Sequence, residues 1–296
     1  LLQGMCSLPL SQALRDVIAL PYFTPTVPIY SQYPPGYIAA LMAAVVLKIN
    51  VLWINVLTCS VIFILTALLT RRLGGSRLQE LAAVVLLTGS SWMTGMCGTA
   101  MNHMLTTALL SAAAWAGLTA CGPGQSPRRR VALWAAAGFV LGWAADIRPL
   151  TAFAHGAVYG AAWLWMLTNA WRRGELRRPQ LRRLYALAPA AVLAGLALPA
   201  AALLAYNLAT TGHLFEMAYQ ASAPGLRLGF MSSGPYRYTP LQAIENFFDS
   251  LLMVDGMMAG WLWGGCWVLL LAWWVRTRLT RAQCLVGMLV FSQWLA

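Results

Sequence analysis

Apolar runs about as long as a bilayer is thick recur along the chain, separated by short polar clusters. A hydrocarbon core about 30 Å thick takes about 20 apolar residues per helix. Runs of that order lie at 51 to 70, 79 to 98, 101 to 120, 131 to 147, 150 to 170, 185 to 206 and 257 to 275, and are expected to be transmembrane helices. A further run begins at Ala282 and stops at Ala296, too short to cross. The stretch YIAALMAAVVL at 37 to 47 is also short for a span. Pro34 and Pro35 ahead of it suit the start of an interfacial or half-inserted helix. The pattern predicts an all-α polytopic membrane protein: a first loop with a juxtamembrane helix over 1 to 50, a bundle of six spans over 51 to 206, a loop over 207 to 256, and further spans over 257 to 296.

Composition agrees with the pattern. Hydrophobic residues are 60% of the chain and charged residues 9%, with a mean hydropathy of +0.65. Soluble domains carry roughly 25% charged residues. Leu1 is not a start Met and the last apolar run has no exit flank, so the chain is expected to be a fragment at both ends.

Charge then sets the orientation. Of the 20 Lys and Arg, all but Arg15, Lys48, Arg148, Arg227 and Arg237 fall in alternate connections between the spans. Those connections hold Arg71, Arg72 and Arg77; Arg128, Arg129 and Arg130; Arg172, Arg173, Arg177, Arg178, Arg182 and Arg183; and Arg276, Arg278 and Arg281. Connections rich in Lys and Arg stay cytoplasmic. The net charge of +12 is therefore read as a topology signal, and no nucleic-acid partner is implied. The opposite face carries Asp16, Asp146, Glu216, Glu245, Asp249 and Asp255, against Glu80 and Glu175 inside. His103, His155 and His213 also lie on or near that outer face.

Three outer segments hold the candidate chemistry. In WAADIRPLTAF, Asp146 and Arg148 sit where one span ends and Pro149 opens the next. Ionisable residues at membrane depth are costly. The corner reads either as an interfacial turn with snorkelling charges or as an anion site, because the Arg fork matches phosphate. In GTAMNHMLTTALL, Asn102 and His103 open a helix; they suit an interfacial hydrogen-bonded start, a headgroup contact or proton transfer. His155 lies deeper and is expected to hydrogen-bond between helices. The long loop that begins YNLATTGHLFEMAYQ carries His213, Glu216, Tyr219, Tyr236 and Tyr238, a mixture suited to a polar ligand with apolar faces such as a sugar, or to an interfacial aromatic belt.

Cysteine and phosphate-loop chemistry add little. Cys6, Cys59, Cys97, Cys121, Cys266 and Cys284 contain no CxxC pair, and no two stand at metal-ligand spacing with a His. Cys6 and Cys97 both fall on the outer side and are a candidate disulfide. No P-loop or dinucleotide fingerprint is present. No cofactor is implied, and no ligand set supports a divalent metal.

SQYPPGYIAALMAAVVLKINVLWINVLTCSVIFILTALLTRRLGG resembles the first outer loop and second span of the GT-C membrane glycosyltransferases, in which a PPG or PPL element begins a juxtamembrane helix. GTAMNHML, DIRP and YNLATTGHLFEMAYQ are similar, in order and on the same face, to three later corners of bacterial members such as the protein mannosyltransferases and lipid A aminoarabinose transferases. The resemblance implies an inner-membrane, multi-pass cell-envelope enzyme with its active face extracytoplasmic. Such an enzyme takes a sugar from a polyprenyl-phosphate donor and passes it to a glycan, lipid or protein acceptor, usually with inversion. It implies donor-phosphate contact by Arg148, His103, Asn102 and Tyr33, the last standing where some relatives carry Lys. It also implies an acidic general base in the first outer loop. The expected acid falls upstream of Leu1, leaving Asp16 as the candidate inside the chain. A transporter or lipid flippase is the alternative, although transporters place polar groups near the midplane and these spans are nearly free of charge there.

Overall fold

A computed structural model describes residues 34–99, 101–218, 220, 239, 241, 242, 244–246, 249, 280 and 283–289, and the backbone of Ser7, Leu8, Ile29 and Tyr30. The fold is helical. Among the described residues the one extended pairing is a two-residue antiparallel contact between β1 (Ser7–Leu8) and β2 (Ile29–Tyr30), with Ser7 opposite Tyr30.

The helices follow in order: α1 Pro35–Val46, α2 Trp53–Arg72, α3 Arg77–Thr88, α4 Ser91–Cys97, α5 His103–Cys121, α6 Pro127–Ala145, α7 Pro149–Arg172 and α8 Pro179–Thr211, with a 3₁₀ turn at Glu175–Arg177 before α8. Three of them, α2, α5 and α8, are long and apolar enough to cross a membrane, which makes this a multi-pass membrane protein by length and composition. The α1 helix has 12 residues and reaches about 18 Å, short of the roughly 30 Å core. At 33 residues, α8 reaches about 50 Å, enough for Arg182 and Arg183 in its first turn to clear the lipid.

The second apolar run departs from the expectation of one span over 79 to 98. It forms two shorter helices, because Gly89 closes α3 and Ser90 restarts the chain as the N-cap of α4. The Ser90 hydroxyl accepts from the Met93 amide, and the Thr94 hydroxyl returns to the Ser90 carbonyl. A serine hydroxyl that satisfies a free amide is a strong helix start. Likewise α6 ends at Ala145 rather than 147, which leaves Asp146, Ile147 and Arg148 as a turn between two helices.

In lipid, helices gain little hydrophobic energy from each other, so close packing through small residues must hold them. The α6 and α8 helices pack this way. A side chain at Gly138 would run into the Val192 carbonyl, and one at Gly195 into the Ala135 carbonyl. Of the three apolar helices, α5 is the most enclosed, burying Met104, Ala113 and Ala120 completely, and α8 is the least. The apolar side chains Leu57, Val61 and Ile64 of α2 and Leu193 and Leu198 of α8 point away from the bundle, as a lipid-facing surface requires.

The ends with many arginines are closed by them. Arg71 grips Glu80 with two parallel hydrogen bonds, Nε to Oε1 at 2.8 Å and Nη2 to Oε2 at 2.7 Å, and so joins α2 to α3. Arg72 Nη2 donates to the Thr119 carbonyl at 3.0 Å, which also accepts from the Gly122 amide, and Arg130 Nη2 donates to the Gly122 carbonyl at 3.3 Å, so both arginines bind carbonyls at the end of α5.

Candidate functional site

At the opposite end of the helices, four segments meet through hydrogen bonds that close into a ring. It starts in the Pro-Pro-Gly-Tyr element. Pro35 occupies the first turn of α1, where its missing amide costs nothing. Gly36 donates its amide to the Asp146 carbonyl at 2.8 Å, and its own carbonyl accepts from Trp143 Nε1 at 3.1 Å. Only glycine fits there, because a β-carbon would stand 2.7 Å from Ile147 Cγ1 and 2.8 Å from the Asp146 oxygen. The start of α1 is thus seated on the α6–α7 turn.

The next residue, Tyr37, donates its hydroxyl to Asn55 Oδ1 on α2 at 3.3 Å. Asn55 is fully buried and donates Nδ2 to the carbonyls of Thr99 at 2.5 Å and Met101 at 2.8 Å, with a longer contact to Met96 at 3.4 Å. The Thr99 and Met101 carbonyls belong to the turn between α4 and α5. His103, the first residue of α5, closes the ring: Arg148 Nη1 lies 2.7 Å from His103 Nδ1.

That last contact has a chemical consequence. Arginine carries only donors, so Nδ1 must accept, and in a neutral imidazole the proton then sits on Nε2. The pair presents a guanidinium and an Nε2–H, all donors. Asp146 does not offset the charge. The ion pairs among the described residues lie elsewhere, and Asp146 Oδ1 is buried without a hydrogen-bond partner. In this turn, outside both helices, burial pushes the Asp146 carboxyl up to about 7 and pulls the Arg148 guanidinium below its usual value, while Arg148 stays charged.

The expected site residues sort as follows. Arg148 and His103 are brought together, and Asn102 stands beside them as the N-cap of α5, its side chain making no capping bond. His155 is buried in α7 and hydrogen-bonded to the backbone of Leu110 on α5, the structural role expected of it. His213 and Glu216 face one another at 3.9 Å on the exposed start of the long loop. Their neighbours close α8: Asn207 Nδ2 donates to the Leu214 carbonyl at 3.1 Å, the Thr211 hydroxyl accepts from the His213 amide, and Gly212 takes the left-handed conformation. The Asn, Thr and Gly of that motif thus have local structural work. Asp16, Tyr33, Tyr219, Tyr236 and Tyr238 lie outside the described residues, or have side chains outside them.

One cysteine expectation is corrected. Cys97 pairs with Cys59, not Cys6, because the short α4 packs along α2 and brings the end of α4 beside the second turn of α2. Cys121 and Cys284 are free. Among the described residues no group of three His, Cys, Asp or Glu side chains stands close enough to hold a metal.

Asn55, Tyr37, Gly36 and Trp143 did not stand out in the sequence. An asparagine inside a lipid-crossing run, INVLTCS, was the available signal, since such a residue needs partners on other helices. In comparison with known proteins, no family model, curated protein or solved structure matches this chain.

Proposed function

We propose that the outer corner binds the phosphate of a lipid-linked donor, and that the protein is a GT-C-type glycosyltransferase acting on the extracytoplasmic side of a cell membrane. The contact between Arg148 and His103 carries this reading. It places a charged fork and an imidazole N–H side by side, with no ion-pair partner for Arg148 among the described residues. A phosphate oxygen accepts from both, and charge-assisted bonds of this kind are the strong ones.

In such a transfer the sugar leaves a polyprenyl phosphate, and negative charge grows on the departing phosphate. Donors fixed before the reaction stabilise that charge. Arg148 and His103 are suited to the role. The acceptor hydroxyl loses its proton to a carboxylate of the first outer loop, where Asp16 is the candidate within this chain. The Cys59–Cys97 disulfide supports the orientation, since disulfides persist on the oxidising side of a membrane. The arginine-rich connections support the same assignment.

The test uses the full-length protein in detergent or nanodiscs with a short-chain polyprenyl phosphate. Loss of a hydrogen-bonded charge is worth about 1.5–3 kcal/mol, so Arg148→Ala is expected to weaken binding by about tenfold to a hundredfold, and to abolish transfer of sugar from a radiolabelled polyprenyl-phosphate donor. Wild-type affinity in the variant sinks the phosphate role. Binding without transfer by the wild-type protein moves the reading to the transporter or flippase class.

A further inference from the structure

We propose that Asn55 is the positioning residue of the outer anion site: it fixes the turn before α5 so that His103 offers Nδ1 to Arg148 and leaves Nε2–H for the anion. This rests on the anion reading above. Asn55 touches neither His103 nor Arg148, so it acts through the turn.

The geometry assigns the role. A carboxamide has two hydrogens, and the two short contacts, to Thr99 and Met101, take both. The partners fix which way the amide points, because three carbonyls can face only its nitrogen. Oδ1, at the other end, accepts from Tyr37, whose neighbour Gly36 is bonded to the Asp146 carbonyl. One fully buried side chain therefore ties the α4–α5 turn to the element seated on the Arg148 turn. Thr99 and Met101 lie on the chain path into His103, and any slide of that turn along α2 would carry the imidazole with it.

A second tie lies one helical turn along the same face of α2. Cys59, four positions after Asn55, is bonded to Cys97 at the end of α4. The disulfide holds α4 against α2. It does not hold Thr99 and Met101, which come after it, and Asn55 supplies what the covalent link omits. An apolar residue at 55 would leave the same helix pair packed and the turn unheld.

The test separates position from folding. The full chain carries three histidines, so ¹⁵N-histidine spectra are read with His103→Gln for assignment. The expected wild-type spectrum shows His103 as a single neutral tautomer, protonated at Nε2. In Asn55→Leu the Cys59–Cys97 disulfide is expected to form as in wild type, while the His103 signals become a tautomer mixture and affinity for a short-chain polyprenyl phosphate falls tenfold or more. Asn55→Asp keeps the shape but turns lone pairs toward the carbonyls; it is expected to do the same at neutral pH, and serves if the leucine variant does not fold. A single unchanged tautomer with wild-type affinity, in either variant that keeps the disulfide, overturns the proposal. A changed tautomer with unchanged affinity overturns the link between the turn and binding. A wild-type protein that shows the tautomer but does not bind the phosphate overturns the anion reading and leaves the turn assignment standing.

Discussion

The two ends of the helix bundle use arginine in opposite ways. At one end Arg71 holds a carboxylate and Arg72 and Arg130 each donate to a carbonyl, so each of these charges meets an acceptor oxygen of the protein itself, although Arg130 Nε is buried without a partner among the described residues. At the other end Arg148 is half-buried, and its hydrogen bond among the described residues goes to an imidazole nitrogen, even though Asp146 is two residues away. The first arrangement closes helix ends and anchors them at an interface. The second leaves a charge with unused donors, costly at a membrane surface unless a ligand or water takes them. The difference separates arginines held by acceptors of the protein from one that, on the proposed reading, is left for an anion.

The largest effect expected from this comparison is all-or-none. In a background lacking Cys6, Cys121, Cys266 and Cys284, a cysteine at Phe215, which is 84% exposed, should react with an impermeant maleimide on intact cells, and one at Ser126 should not. Labelling at Ser126 with protection at Phe215 would reverse the orientation, and the Arg148 corner would then face the cytoplasm.

The next effect probes the seat of α1 on the Asp146 turn. Gly36→Val should break the bonds from the Gly36 amide to Asp146 and from Trp143 to Gly36, since the new β-carbon overlaps both the Asp146 oxygen and Ile147. Overpacking of this kind costs about 1–3 kcal/mol. The thermal midpoint in detergent should drop by a few degrees, and phosphate affinity should fall with it. Gly160→Ala on α7, with nothing within 4 Å, is the control, expected to leave both unchanged. Equal midpoints for the two variants would show that the outer ring carries no stability.

What the sequence made legible follows from the range of each signal. Apolar runs are local, so α2, α5, α7 and α8 fall close to the expected stretches 51 to 70, 101 to 120, 150 to 170 and 185 to 206. The break at Gly89 and Ser90 was missed because a run of hydropathy averages over a single capping serine, although the TGSS cluster is a helix-start signal. Arg148 and His103 stood out as rare polar residues at corners; that they touch did not, since they lie 45 positions apart. The rest of the ring is less local still. Asn55 meets Met101 across 46 positions and Trp143 meets Gly36 across 107, and one sequence has no local pattern that pairs them. Asp16 and the aromatic residues Tyr219, Tyr236 and Tyr238 lie outside the described residues.

The smallest effect sharpens the comparison through Asp146 itself. Glu80 at one end has its arginine; Asp146 at the other has none among the described residues, and burial pushes its carboxyl from 3.8 up to about 7. A folded state that holds a proton more tightly than the unfolded chain is favoured at low pH. The contribution from Asp146 is therefore fully present below the unfolded value and is lost as pH rises through about 7. Measured in detergent, the wild-type thermal midpoint should fall between about pH 5 and about pH 8. Asp146→Asn keeps the shape and stays neutral, so it should match wild type at the lower pH and exceed it at the higher. His103 is common to both proteins and drops out of the difference between them. An Asn variant whose midpoint falls as steeply as wild type would mean that Asp146 is ionised and partnered after all. Arg148 would then be the first group to examine for the missing bond, and its charge would no longer be free for an anion.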